Sequence, residues 1–210
     1  MKTENLIDAL VVDGVRNGRP MTTAIASALV VGGLLSLAAF FVTLGIRPDI
    51  MTALATWRFD LKVGMVLAAL VVAFGLCIAV SRPLASRPGR RLLPLAALAL
   101  ASIAVELVIL PGAAWGTRLV GSNAFICMMA IPTLSLAPLA AVLMALRGTA
   151  PASPALAGAA AGFLAATAGA TLYAFHCFDD SPLFVVTWYA LATVPVIVIG
   201  AVAGQRLLRW

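Results

Sequence analysis

The chain has 210 residues, 63% hydrophobic and only 10% charged, with a net charge of +6 and a mean hydropathy of +1.09. A soluble domain carries roughly 25% charged residues, so this composition argues against a large soluble helical protein. Function must reside in membrane spans, in a few short loops, or in a tail of about twenty residues at the N-terminus.

Residues 1–21 form that tail. Leu6, Ile7, Leu10 and Val11 recur at helical spacing and make one apolar stripe, with Glu4, Asp8 and Asp13 on other faces. Thr3 is a fair N-cap, and Gly14, Gly18 and Pro20 end the helix. A helix this short is marginal in water and is ordered mainly by docking. Two kinds of dock are open. One is the bilayer surface or the protein's own inner loops; the other is a groove on a cytosolic protein, which uses this anchor pattern.

The remainder, 22–210, reads as an all-α domain of six membrane-spanning helices. A span needs about 20 mostly apolar residues. Six such stretches run from Ala24 to Ile46, Val63 to Ser81, Leu92 to Leu110, Ala124 to Leu146, Ala155 to Phe175 and Leu183 to Gln205. The first carries Gly32-Gly33 at its middle. It is too long for the apolar core of a signal peptide and lacks a cleavage pattern, so it should remain as an anchor. Cys77, near the inner end of the second span, reads as a small packing residue. The third holds Glu106, the only acid well inside a span. Such a residue is either a hydrogen-bonded group near the interface or part of a sensing or coupling device. Pro132 and Pro138 in the fourth span and Pro195 in the sixth are structural kinks or hinges, tolerated where neighbours satisfy the freed carbonyls. The fifth contains Gly158-Ala159-Ala160-Ala161-Gly162, which serves plain packing or an oligomer face. A homo-oligomer is permitted without being required.

Lys and Arg collect on the cytoplasmic side of a membrane. With the N-terminus inside, the inner segments hold Lys2, Arg16, Arg19, Arg82, Arg87, Arg90, Arg91, Arg147, Arg206 and Arg209, and the outer loops hold Arg47, Arg58, Lys62 and Arg118, a bias of 10 to 4. Both termini are therefore expected in the cytoplasm. Flanking Arg residues on anionic lipid explain the net charge without nucleic acid. Trp57, Trp115, Trp188 and Trp210 fall at or near span ends, as an aromatic belt requires.

This topology puts Cys127 and Cys177, 50 residues apart, at the same outer face. In a Gram-negative bacterium that face is the periplasm, where disulfides persist. Three readings stay open: a static disulfide, a pair that an oxidant couples or a soft metal ion bridges, and coincidence. His176, Asp179 and Asp180 surround Cys177, and Met128 and Met129 follow Cys127. Thiolate, thioether and imidazole suit Cu(I) or Zn(II). Cys127, Cys177, His176 and Asp179 are thus candidate ligands of a transient ion, although their spacing matches no standard zinc site. No resident cofactor is expected.

Three segments carry a resemblance over essentially the whole chain. They are the opening Met1-Lys2-Thr3-Glu4-Asn5-Leu6-Ile7-Asp8-Ala9-Leu10, the block Gly121-Ser122-Asn123 leading to Cys127 and Ile131-Pro132, and the run from His176-Cys177-Phe178-Asp179-Asp180 to Trp188-Tyr189. The chain resembles the NrsF family of bacterial inner-membrane anti-sigma factors. The resemblance implies a non-enzymatic, multi-pass inner-membrane protein that sequesters an ECF-type sigma factor at its cytoplasmic face. Heavy metal or oxidant at the outer face would release it through Cys127 and Cys177. Glu4, Leu6, Ile7, Asp8, Leu10 and Val11 would then contact the sigma factor, with the Arg82–Arg91 loop as a second candidate contact. Glu106, Pro132 and Pro138 are candidates for coupling the two faces. A small metal or solute transporter is the alternative. Against it stand the single intramembrane acid and the lack of an inverted repeat with paired broken helices. A thiol oxidoreductase is a third reading, weakened by the lack of a CxxC.

Overall fold

The computed structural model describes residues 20–82, 88–149 and 151–209. The tail residues Glu4, Leu6, Ile7, Asp8, Leu10 and Val11 and positions 83–87 of the basic loop lie outside the described residues. Six helices are long and apolar enough to cross a membrane: α1 (Met21–Thr43), α2 (Trp57–Val80), α3 (Leu93–Ile109), α4 (Ala124–Leu146), α5 (Pro154–Ala174) and α6 (Pro182–Leu207). Among the described residues there is no strand. The connections 44–56, 110–123 and 175–181 meet at one end of the bundle, called here the clasp end.

The helices begin where local chemistry lets them. Ser153 caps α5, its hydroxyl accepting from the Leu156 amide at 3.4 Å, and Pro154 occupies the first turn, where no N–H is needed. α6 likewise opens on Pro182 and contains a wide π turn over Val185–Tyr189. α2 starts six residues before the expected Val63, because Arg58 and Lys62, which an apolar span should not contain, find acidic partners.

α5 is the centre of the fold. Of its most apolar 18 residues, 61% are buried, against 11% for α3. It packs on α6, α4 and α2, while α1 packs on α4. Its Ala and Gly content is the reason, since small residues let backbones approach closely. A Cβ on Gly158 would run into the Gly200 carbonyl oxygen, one on Gly162 would lie 2.5 Å from the Val196 oxygen, and one on Gly204 would lie 2.5 Å from the Pro154 oxygen. The Gly158–Gly162 motif therefore closes the α5–α6 contact inside this chain.

The kink residue Pro138 has a specific partner. Proline lacks an N–H, so the carbonyl four residues earlier, that of Leu134, loses its helical bond. The Ser36 hydroxyl of α1 donates to that oxygen at 2.6 Å. Beside it, Gly32 lies so close that a Cβ there would sit 2.5 Å from the Pro138 Cα. Pro138 is buried and welds α4 to α1; Pro132 is half-buried in the unbroken α4 helix.

Candidate functional site: an ionic clasp around a thiol pair

The connection between α5 and α6 is Phe175-His176-Cys177-Phe178-Asp179-Asp180-Ser181, and nearly every residue in it is tied to a different part of the clasp end. The Phe175 carbonyl accepts from the Arg47 amide at 3.0 Å. His176 Nδ1 lies 3.0 Å from the Gly45 carbonyl, which can only accept, so Nδ1 carries the proton. The Cys177 carbonyl accepts from Lys62 Nζ at 2.8 Å and from Arg47 Nη1 at 3.1 Å.

Asp180 is the keystone. Arg47 Nη1 donates to both its oxygens, at 2.9 and 3.0 Å, and Lys62 Nζ donates to Oδ1. Arg47 also grips Asp49 through Nε and Nη2, each at 2.7 Å. The hydrogen bonds to Asp49 raise the affinity of Arg47 for its proton, against the cost of burial, and the same bonds hold the Asp49 carboxyl below its ordinary range. The side chain of Lys62 is 0% exposed. Aromatic faces complete the enclosure, with Phe178 4.9 Å from the Arg47 guanidinium and Phe59 5.1 Å from the Lys62 ammonium.

Asp179 performs a second task. Its Oδ2 accepts from the backbone amides of Ser122 and Asn123 at 3.0 and 2.8 Å and from Asn123 Nδ2 at 3.0 Å. These donors form the N-terminus of α4, whose N-cap Asn123 makes no capping bond of its own. The carboxylate thus caps α4 from a distant loop and sits at the positive end of its dipole. Gly121 makes room. Its φ is +59°, and a Cβ there would lie 2.5 Å from the Phe184 ring and 2.8 Å from the Asp179 carboxyl carbon. The Gly121-Ser122-Asn123 block is a receptor for Asp179.

Glu106 is fully buried. It accepts from Arg58 Nε at 3.1 and 3.2 Å and from the Ser181 hydroxyl at 3.1 Å. It pins the otherwise peripheral α3 to the clasp.

Under this network lie Cys127, one turn into α4, and Cys177. Both are free and fully buried, and they share one core cluster with Tyr173, Phe184 and Tyr189. The Cys177 sulfur approaches the Asp179 carbonyl at 3.8 Å. Burial raises the Cys177 thiol above its ordinary range, although Lys62 pulls the other way. At neutral pH the thiol stays protonated and therefore a slow nucleophile.

The four proposed metal ligands are not assembled. Among the described residues, no group of three or more His, Cys, Asp or Glu is arranged to hold a metal ion. Asp179 is turned to the α4 amides, and His176 Nδ1 to the Gly45 carbonyl. Of the four, Cys127 and Cys177 share one core cluster.

Residue-by-residue reading passed over Arg47, Arg58, Lys62, Asp180 and Ser181 as site residues. A signal was available. Three of the four basic residues assigned to translocated loops are these cations, and a cation on the wrong side of a membrane rule is one that has an acidic partner to meet.

Among the described residues the chain is thus all-helical, with six membrane-length helices and three connections at one end locked by buried charge over two thiols. Residues 12–210 match the family described as NrsF, negative regulator of sigma F, and the chain belongs to that family. It is 35% identical over 223 aligned residues to the anti-sigma-F factor NrsF of Caulobacter vibrioides and 32% identical over 219 to a probable anti-sigma-F factor NrsF of Azospira oryzae, with both chains of each pair covered in full. No solved structure matches.

Proposed function

We propose that this chain is an inner-membrane anti-sigma factor with both termini in the cytoplasm. It holds an ECF-type sigma factor at the cytoplasmic face and releases it when the Cys127–Cys177 pair, at a periplasmic clasp end, is oxidised or bridged by a soft metal ion. The observation that carries this reading is the union of two free thiols from different elements beneath a loop bonded to the rest of the clasp. Joining the sulfurs, directly or through a metal, must move either loop 175–181 or the start of α4. The route inward is short. α4 is bonded to α1 through Ser36 and Leu134, and α1 continues at Pro20 into the tail. The tail stripe Leu6, Ile7, Leu10 and Val11, with Glu4 and Asp8, is the sigma contact. Coupling is reciprocal: whatever favours the bridged state must disfavour the sigma-bound state equally. About 1.4 kcal/mol of coupling changes sigma affinity tenfold.

The test is sigma-factor co-purification with membranes from stressed and unstressed cells. The parent should retain sigma at rest and lose it after diamide or cadmium. Cys127→Ser/Cys177→Ser should retain it under both conditions, and Leu6→Asp/Leu10→Asp should fail to retain it at rest. Normal stress release by the double-serine variant refutes the thiol mechanism, and full retention by the tail variant moves the contact elsewhere.

A further inference from the structure

Four basic residues stand at the clasp end, and three of them meet carboxylates of this chain. Arg47 grips Asp49 and Asp180, Lys62 grips Asp180, and Arg58 grips Glu106. Arg118, on the short helix Trp115–Val120, is exposed and has no acidic partner among the described residues. Together with Arg118, this ion-pair network holds four cations and three carboxylates, so one positive charge is unmatched. Asp179 does not offset it, because its carboxylate is held by the α4 amides.

Arg118 and Arg58 share the wall of one hollow of about 360 Å³, completed by Thr56, Trp57, Phe178 and Asp180. Arg47 and Lys62 already hold the Asp180 carboxylate, so it does not cancel the charge of Arg118. The Arg58 guanidinium lies 4.9 Å from the Trp57 ring, which holds it at the wall. The first turn of α2 adds donors. The Thr56 hydroxyl donates to the Ala53 carbonyl at 2.7 Å instead of capping the helix. The amides of Trp57, Arg58 and Phe59 therefore make no hydrogen bond among the described residues, at the positive end of a 24-residue helix. Trp57 is the first residue of a membrane-length helix, so the hollow lies at the edge of a span, the level that aromatic rings share with lipid headgroups.

We propose that this hollow binds a phosphate group, with the guanidinium groups of Arg118 and Arg58 as its main ligands. A guanidinium fork matches a pair of phosphate oxygens. The free amides at the start of α2 favour the same anion. One unmatched positive charge suits the single negative charge of a phosphodiester. A lipid headgroup and free phosphate present this chemistry alike. Arg58 holds Glu106 as well, so a bound phosphate braces α3 against the clasp. The site involves neither thiol, and it stands or falls independently of the thiol-sensor reading.

The experiment uses the full chain in dodecyl maltoside, a detergent without phosphate. Three probes are titrated in: dihexanoyl phosphatidylglycerol, inorganic phosphate, and dihexanoylglycerol, which has the same tails and no phosphate. Tryptophan fluorescence should change saturably with a phosphate-bearing probe, the thermal midpoint should rise with it, and dihexanoylglycerol should do neither. Response to the lipid alone makes the source a headgroup; response to inorganic phosphate as well makes the site one for phosphate in general. Arg118→Gln should keep the ligand-free thermal midpoint, since Arg118 is exposed, and should weaken binding about tenfold or more by removing a charged hydrogen bond. Arg118→Lys, which keeps the charge without the fork, should fall between the two. Arg147→Gln, at the opposite end of the bundle, should bind like the parent. Trp57→Phe should lose the fluorescence response and keep the rise in midpoint. No saturable response to either phosphate probe, an equal response to dihexanoylglycerol, or parental affinity in Arg118→Gln overturns the proposal.

Discussion

Asp180→Ala should be the most damaging single polar substitution in this protein. With Asp180 present, the buried cations Arg47 and Lys62 face two acids, Asp180 and Asp49. Without it, Lys62 keeps only the Cys177 carbonyl, and one positive charge is left buried without an anion. Breaking a buried pair in this way costs about 3–5 kcal/mol, a large fraction of the stability of an ordinary domain. The loss should be read as a lower thermal midpoint in detergent, together with faster maleimide labelling of Cys177 as loop 175–181 lifts. Asp60→Ala is the control, because Asp60 is exposed and makes no ion pair among the described residues; surface changes of this kind stay within about 0.5 kcal/mol. Equal behaviour of the two variants would mean that the clasp contributes nothing to the fold.

Gly158→Leu should be comparably severe for a different reason. The new side chain meets the Gly200 carbonyl oxygen and the Gly204 Cα, which are backbone atoms and cannot rotate away. Overpacking typically costs about 1–3 kcal/mol, and a backbone obstacle puts this site at the upper end or beyond, because α5 and α6 must separate along the most extensive helix–helix contact among the described residues. Gly33→Leu is the control, since nothing lies within 4 Å of a Cβ there. Thermal unfolding in detergent should separate the two clearly. The comparison also decides the role of the motif. Were Gly158 and Gly162 an oligomer face, Gly158→Leu would change the size of the particle and leave the thermal midpoint of the monomer intact.

The span inventory was legible because hydropathy and length act locally. Ala124–Leu146 matches the observed α4 at both ends, and Leu92–Leu110 matches α3 within one residue at each. The misplaced start of α2 has a clear cause: reading inward from the charges stopped at Val63, since nothing local announces that Arg58 will meet Glu106 and Lys62 will meet Asp180. Those partners are 48 and 118 residues away. The loop His176–Ser181 stood out in the sequence through its density of functional groups, and it is the hub of the site. The roles within it did not stand out. Asp179 looked like a metal ligand because carboxylates beside cysteines often are, whereas its partners are backbone amides, which no residue type advertises. Gly121 at positive φ was the one local hint that something large approaches the start of α4. The peripheral place of α3 was hidden because its composition matches that of the buried helices: like the well-buried α4, it is apolar along its length and contains no glycine.

The long separations within the clasp also dictate when it can exist. Arg47 and Lys62 are 133 and 118 residues ahead of Asp180 in the chain. At about 5–20 residues per second, they emerge from the ribosome roughly ten seconds before the carboxylate they share. During that interval Lys62 has no carboxylate of the clasp to meet and must stay solvated. The hairpin of α5 with α6 brings Asp179, Asp180 and Ser181 together. A chain that stalls before residue 180 remains unlatched, so the clasp closes only once the loop between α5 and α6 has been made.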